Sequence, residues 1–380
     1  MTSPEILWNP GRGAPPPSTS DDLRPLDLHR RLPGYEVTPL VDAPTLAADL
    51  GIGRLWVKDE AWRLGLPAFK MLGASWASYR SLVRLLGHEP EWSTTDELAA
   101  ALAPLGPLTL ATATDGNHGR AVARMATLLG LGARILVPEG TATARIDAIA
   151  AEGADVSVVD GTYDDAVRAA AALAADDVLI VSDTSWPGYT DVPGWVIDGY
   201  TTILDEVDQQ RVAAGAGPVD AVVVQMGVGA LAAAVVGHCR DAEGRGPLVA
   251  VVEPLTAACG LRSAEAGGLV DVPGPHRSIM AGLNCGRASE VAWPTIAAGT
   301  DVFVAVDDAA AERAMVDLAG LGLEAGESGA AGLAGLRALC EDGSVDVLGP
   351  DASVLVLSTE GPTDPGAWAR IVGRPPTATP

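Results

Sequence analysis

The sequence predicts an α/β fold built on parallel sheet, and three observations predict it. Short apolar, β-branched runs alternate with Ala-rich stretches along most of the chain. The runs are apolar at every position rather than every second one, as in strands covered by helices on both faces. Glycine or a small polar residue stands at the run-to-helix turns, where α/β proteins carry their sites.

Taken in order, residues 1–36 read as an N-terminal arm. Ala14-Pro15-Pro16-Pro17 cannot continue a helix, and Ser, Thr and Asp follow. Strands are expected at 55–58, 108–111, 133–137, 155–159, 179–181, 221–225, 248–252 and 353–357. Helices are expected between them, at 119–129, 143–152, 163–175 and 230–240. That alternation is the pattern of βαβ units. No linker separates two continuous domains, which is how a small domain inserted into a larger one would look.

Composition narrows function by exclusion. A formal net charge of −24 is unsuited to nucleic acid or anionic membrane, which are bound through Lys and Arg. It suits a cationic substrate in a weak, steering sense, and equally an acidic protein without that preference. Hydrophobic residues make up 48% of the chain but never eighteen in a row, so no membrane span is expected. Residues 1–21 lack the basic-then-apolar order of a secretory signal, and a cytoplasmic protein is expected. Cys239, Cys259, Cys285 and Cys340 form no CxxC pair, so they read as reduced, small apolar residues and no metal site is expected.

Four loops carry the polar residues. In the first, Val57-Lys58-Asp59-Glu60 ends a strand and Lys70 opens an Ala-rich helix, where the macrodipole disfavours a cation. Lys70 is either a solvated lysine or one neutralised as an imine to an aldehyde cofactor. The second runs Thr114-Asp115-Gly116-Asn117-His118, between a strand and a helix whose first N–H groups receive an anion such as a carboxylate. Asp115 is out of place there unless it faces a cation or caps the helix; His118 reads equally as a structural histidine. The third, Gly227-Val228-Gly229-Ala230, is a phosphate cradle. Ala232 stands where the third glycine of a dinucleotide fingerprint belongs, which argues against NAD. The fourth delivers Ser358 and Thr359 from a buried strand, and a neutral hydroxyl there can face a ring nitrogen without fixing a proton on it.

In this order the four loops resemble those of the fold-type II pyridoxal-phosphate enzymes, the group of threonine dehydratase and tryptophan synthase β. The resemblance is closer to the diaminopropionate ammonia-lyases. It is carried by KDEAWRLGLPAFKMLGAS at 58–75, ATDGNHGRAVA at 113–123, SDTSWPGY at 182–189, MGVGALA at 226–232, SIMAGLNCG at 278–286 and LSTEGPTDP at 357–365. It extends over residues 35–370.

The resemblance implies two open, parallel-rich sheets flanked by helices. A large domain of residues 37–95 and 194–380 would hold pyridoxal 5′-phosphate, with residues 96–193 as an inserted small domain and a homodimer as the assembly. Lys70 would carry the cofactor as a Schiff base, with Phe69 beside the ring. Asn117 would face its phenolic oxygen, and Gly227, Val228, Gly229 and Ala230 its phosphate. Ser358 would face the ring nitrogen, with Thr359 as second choice. Thr114 to His118 would receive the substrate carboxylate, and Asp115 and Asp183 would be the family's acidic pair. Asp183 has an alternative as the cap of a turn before Thr184 and Ser185. The resemblance leaves a Cys259–Cys285 disulfide open.

The two aspartates also have a physical case. The second amino group of 2,3-diaminopropionate is cationic in water and needs negative charge near Cβ, whereas a serine or threonine site would bury those carboxylates unpaired. The implied reaction is α,β-elimination of the D or L substrate to pyruvate and ammonia. Lys70 and Asp115 would act as bases on opposite faces, and a carboxylic acid of raised pKa would protonate the leaving amine. Pro67, Pro362 and Asn284 depart from the family wording near the substrate. They keep open elimination or substitution on serine, threonine or another 3-substituted alanine. An inactive homologue serving as a binding subunit is opposed by the intact Lys70, Asn117 and glycine turn.

Overall fold

Short runs of Val, Ile and Leu between amphipathic helices satisfy their backbone as strands and bury both faces inside a layered sheet. The structure, a computed structural model, describes residues 2–16, 24–114, 116–344 and 349–377. Its strands are β1 (Glu5–Trp8), β2 (Leu40–Asp42), β3 (Arg54–Asp59), β4 (Thr109–Ala113), β5 (Gly132–Pro138), β6 (Asp155–Val159), β7 (Val178–Ile180), β8 (Ala221–Gln225), β9 (Leu248–Pro254), β10 (Val302–Val306) and β11 (Ser353–Ser358). They form two sheets. The larger has the order β1-β10-β9-β8-β11-β3-β2 and the smaller β6-β5-β4-β7. The smaller is parallel throughout; in the larger only the edge strands β1 and β2 run antiparallel to their neighbours.

The inner strands of the large sheet are covered on both sides. Along β8, Val222 and Val224 join a cluster with the helices Lys70–Leu86 and Ala230–Cys239, while Ala221 and Val223 pack with the helix Glu327–Glu341 on the other face. Leu110 and Ile135 of the small sheet belong to the first cluster, so one core spans both sheets. β6 is the exception: it is an edge strand, and its Val158 is 56% exposed.

All eight expected strands are present within a residue or two. Three others were not expected. β1 lies inside the N-terminal arm and exists by pairing with β10, and three-residue β2 by pairing with β3, so neither has an independent apolar signature. β10 does have one, Val-Phe-Val-Ala-Val, as strong as that of β8. Among the described residues no helix is long and apolar enough to cross a membrane.

Candidate active site

Parallel strands aim their carboxyl ends at one side of a sheet, and the loops that follow meet there. In this chain the loops after β3, β4, β7, β8 and β11 line one cavity of about 600 Å³. Lys70 opens the helix Lys70–Leu86, and its loop is stitched to the end of β11: Phe69 N–H donates to Thr359 O at 3.3 Å, and Gly361 N–H to Pro67 O at 3.0 Å. The first and fourth sequence loops are thereby one wall.

Lys70 Nζ lies 2.8 Å from Asp183 Oδ2 in the loop after β7. Burial alone would raise the Asp183 pKa, but Lys70 and His118 beside it hold the carboxyl down at about 2. Asp183 is therefore ionised and faces the cavity. The turn after it is held instead by the Ser182 hydroxyl, which accepts from Thr184 N–H at 3.2 Å. His118 Nε2 donates to Val181 O at 2.8 Å, which turns Nδ1 toward Asp183 at 4.0 Å. Thr114 Oγ1 accepts from Gly116 N–H at 2.9 Å and Gly119 N–H at 3.1 Å, which leaves its own proton to donate elsewhere. Gly116 lines a small side pocket with Asn117, Arg120 and Arg145. Asp115 lies outside the described residues.

Opposite, the Gly227–Ala230 turn opens the helix Ala230–Cys239. A Cβ on Gly227 would stand 2.8 Å from Gly282 O, and Gly229 has φ +101°, a conformation that favours glycine. Only a bare backbone fits there, and the first N–H groups of a helix have no partner within it. Val228, Gly229 and Ala230 line the cavity. Cys259 and Cys285 flank this turn and are not joined by a disulfide.

Of the two hydroxyls expected to face the ring nitrogen, Thr359 is the one that lines the cavity. Ser358 is buried against Asp59 and does not line the cavity, whereas Thr359 does. Side chains alternate along a strand, so neighbouring residues meet opposite faces. Gln225 Nε2 donates to Thr359 Oγ1 at 2.7 Å, leaving the threonine's proton to donate elsewhere.

Sequence reasoning did not find Gln225 or Glu360. Glu360 is buried, lines the cavity and accepts from Asn117 Nδ2 at 2.6 Å. Asn284, a departure from the family wording, is spent inside its own loop: it accepts from Ser278 N–H at 3.1 Å and donates to Ser278 O at 2.9 Å. A count would have singled out Lys70 sooner, because the chain contains two lysines, 58 and 70. Among the described residues no cluster of three or more His, Cys, Asp or Glu could hold a metal ion.

This geometry has counterparts. The family model described as pyridoxal-phosphate dependent enzyme matches residues 31–360. A diaminopropionate ammonia-lyase of Escherichia coli (strain K12) is 37% identical over 358 residues, covering 91% of this chain and 89% of that protein. The chain belongs to the diaminopropionate ammonia-lyases. It is thus a carbon–nitrogen lyase that depends on pyridoxal 5′-phosphate. The crystal structure of the Escherichia coli enzyme of this family in complex with D-serine superposes with a TM-score of 0.88 at 36% identity, covering 97% of both chains. That enzyme in complex with an aminoacrylate-PLP azomethine reaction intermediate also gives a TM-score of 0.88, at 35% identity, covering 98% of this chain and 97% of that one.

Proposed function

We propose that this chain converts 2,3-diaminopropionate and water to pyruvate and two molecules of ammonia, with Lys70 as the reactive amine. The observation that carries the reading is the Lys70–Asp183 pair at 2.8 Å in a cavity whose other wall is a glycine turn at a helix start. These residues fit the cofactor. The bare turn suits a phosphate, and Lys70 is the lysine placed to form the imine. Asn117, with a second amide hydrogen, would hold the phenolic oxygen, Phe69 would lie beside the ring, and the Thr359 hydroxyl would serve the ring nitrogen. When bound, pyridoxal phosphate supplies an electron sink for cleavage at Cα.

The chain's own groups do the rest. The Thr114 hydroxyl and the N–H groups after Gly116 orient the substrate carboxylate. Lys70 takes the Cα proton on one face and, as an ammonium, is held by Asp183. Asp115 serves as base on the other face, which admits both D and L substrates. With Asp183 ionised beside Lys70, the leaving amine takes no proton from it. Instead Asp183 and Glu360 attract a β-ammonium that already carries its proton and leaves as ammonia. Residues 96–193 act as an inserted small domain, since all four strands of the small sheet lie within them; the boundary at 194 cuts the helix Asp191–Ala213. A cytoplasmic homodimer is the proposed setting.

The test is pyruvate release from D- and L-diaminopropionate beside serine and threonine. Turnover of diaminopropionate at least tenfold above both others supports the reading, and a preference for serine or threonine overturns it. Asp115→Asn is expected to lose D-isomer turnover more than L; equal loss removes the second base.

A further inference from the structure

Directly beneath the reactive lysine lies a tyrosine that none of the assigned roles uses. Tyr200 sits in the helix Asp191–Ala213 and is fully buried. Its ring packs on Phe69 with centroids 4.7 Å apart, and Lys70 Nζ lies 5.4 Å from the centroid of that same Phe69 ring. The approach depends on a missing side chain. A Cβ on Gly73, one turn after Lys70, would stand 2.6 Å from the Tyr200 ring. The chain therefore leaves room for a large ring under the first turn of the Lys70 helix.

A buried tyrosine normally uses its hydroxyl. Here the hydroxyl is sealed from water, and its one hydrogen-bonding neighbour among the described residues is Lys70. The charges it feels are those of Lys70 and Asp183. Leucine or phenylalanine would fill the same space without stranding a polar atom. The ring explains the packing and leaves the hydroxyl unexplained.

We propose that Tyr200 is a positioning residue for Lys70: its hydroxyl receives the lysine's ammonium from below while Asp183 receives it from the side. This rests on the reading of Lys70 as the reactive amine. Asp183 alone would draw the amine toward its own loop; a second acceptor on the helix side keeps Nζ over the cavity floor between proton transfers. Among the described residues the titratable groups facing the amine are Asp183, with His118 behind it, and Tyr200.

The test uses the full chain freed of cofactor and reacted with acetic anhydride, with acetylation at each lysine read by peptide mass spectrometry. There are two lysines, and fully buried Lys58 is the internal control. Tyr200→Phe keeps the ring and removes one acceptor from the ammonium, so Lys70 should label roughly threefold to tenfold faster at pH 8. In the loaded enzyme kcat should fall with KM nearly unchanged. A labelling rate within about twofold of the parent overturns the proposal. Should Tyr200→Phe fail to fold, the 3-fluorotyrosine chain provides a second measurement. One of its five tyrosine resonances must move on Lys70→Met, and five unmoved resonances overturn the proposal equally. Neither readout involves substrate, so failure here leaves the lyase reading standing, and failure of the lyase reading is seen separately in the pyruvate assay.

Discussion

The two lysines lie twelve positions apart and meet opposite fates. Lys58 is sealed in the core. Its Nζ donates to Thr38 O at 2.9 Å, Glu206 Oε2 at 2.7 Å and Gln210 Oε1 at 2.9 Å, which uses every donor it has. Arg63 completes the network, donating to both Glu60 and Glu206, so two cations balance two carboxylates. Lys70 keeps part of its side chain in a cavity, with Asp183 as its charged partner at 2.8 Å. A lysine whose three donors are saturated in the core is a structural cation; one that reaches into a cavity beside a carboxylate is available for covalent chemistry. Sequence context alone, a charged loop after a strand, does not distinguish them.

The strongest way to break this comparison is to exchange the fates. Lys70→Ala should abolish the imine absorbance of the bound cofactor and lower kcat/KM by more than about a thousandfold with the thermal midpoint nearly kept. An unfolded product would mean that Lys70 too is structural. Asp183→Asn should lower kcat by roughly a hundredfold or more, read by pyruvate release, because the ammonium loses its counter-charge. On the other side, Glu206→Ala should cost about 3–5 kcal/mol in a denaturant melt, since Lys58 and Arg63 are left buried and unpaired. Intact stability there would mean that the network is dispensable.

His29 joins the two regions. It is fully buried, with Nδ1 2.7 Å from Thr202 Oγ1, and its Nε2 donates to Leu72 O in the Lys70 helix at 3.0 Å. Burial above all, with Arg63 nearby, lowers its pKa to about 3, against the pull of Leu72 O and Glu206. The unfolded histidine takes up a proton near pH 6.5 that the folded one refuses, so this stability is whole above pH 6.5 and lost as pH falls toward 3. The expected slope is at most about 1.4 kcal/mol per pH unit. Unfolding free energies between pH 7 and 4.5 check it: His29→Gln should flatten the limb, and an unchanged limb would place the acid sensitivity elsewhere.

Much of the site was legible because chemistry at backbone turns has a local signature. Lys70 at a helix start, Asn117 after a glycine and the Gly227–Ala230 turn each announce themselves within a few residues, and all three line the cavity. Glu360 and Gln225 were not legible. Glutamate before a glycine and glutamine at a strand end have many ordinary uses, and each acquires its role only through a partner more than a hundred positions away.

The sequence by itself determined the α/β class and the inner strands other than β10, because periodicity and turn composition are properties of neighbouring residues, and its resemblance to a known family implied the cofactor. Only the tertiary structure decided that Thr359 rather than Ser358 faces the cavity, that Asp183 is an ionised partner of Lys70, and that β1 and β2 are strands. Each of these depends on which distant surface a residue meets, and burial, charge pairing and strand pairing are settled where the chain folds back on itself.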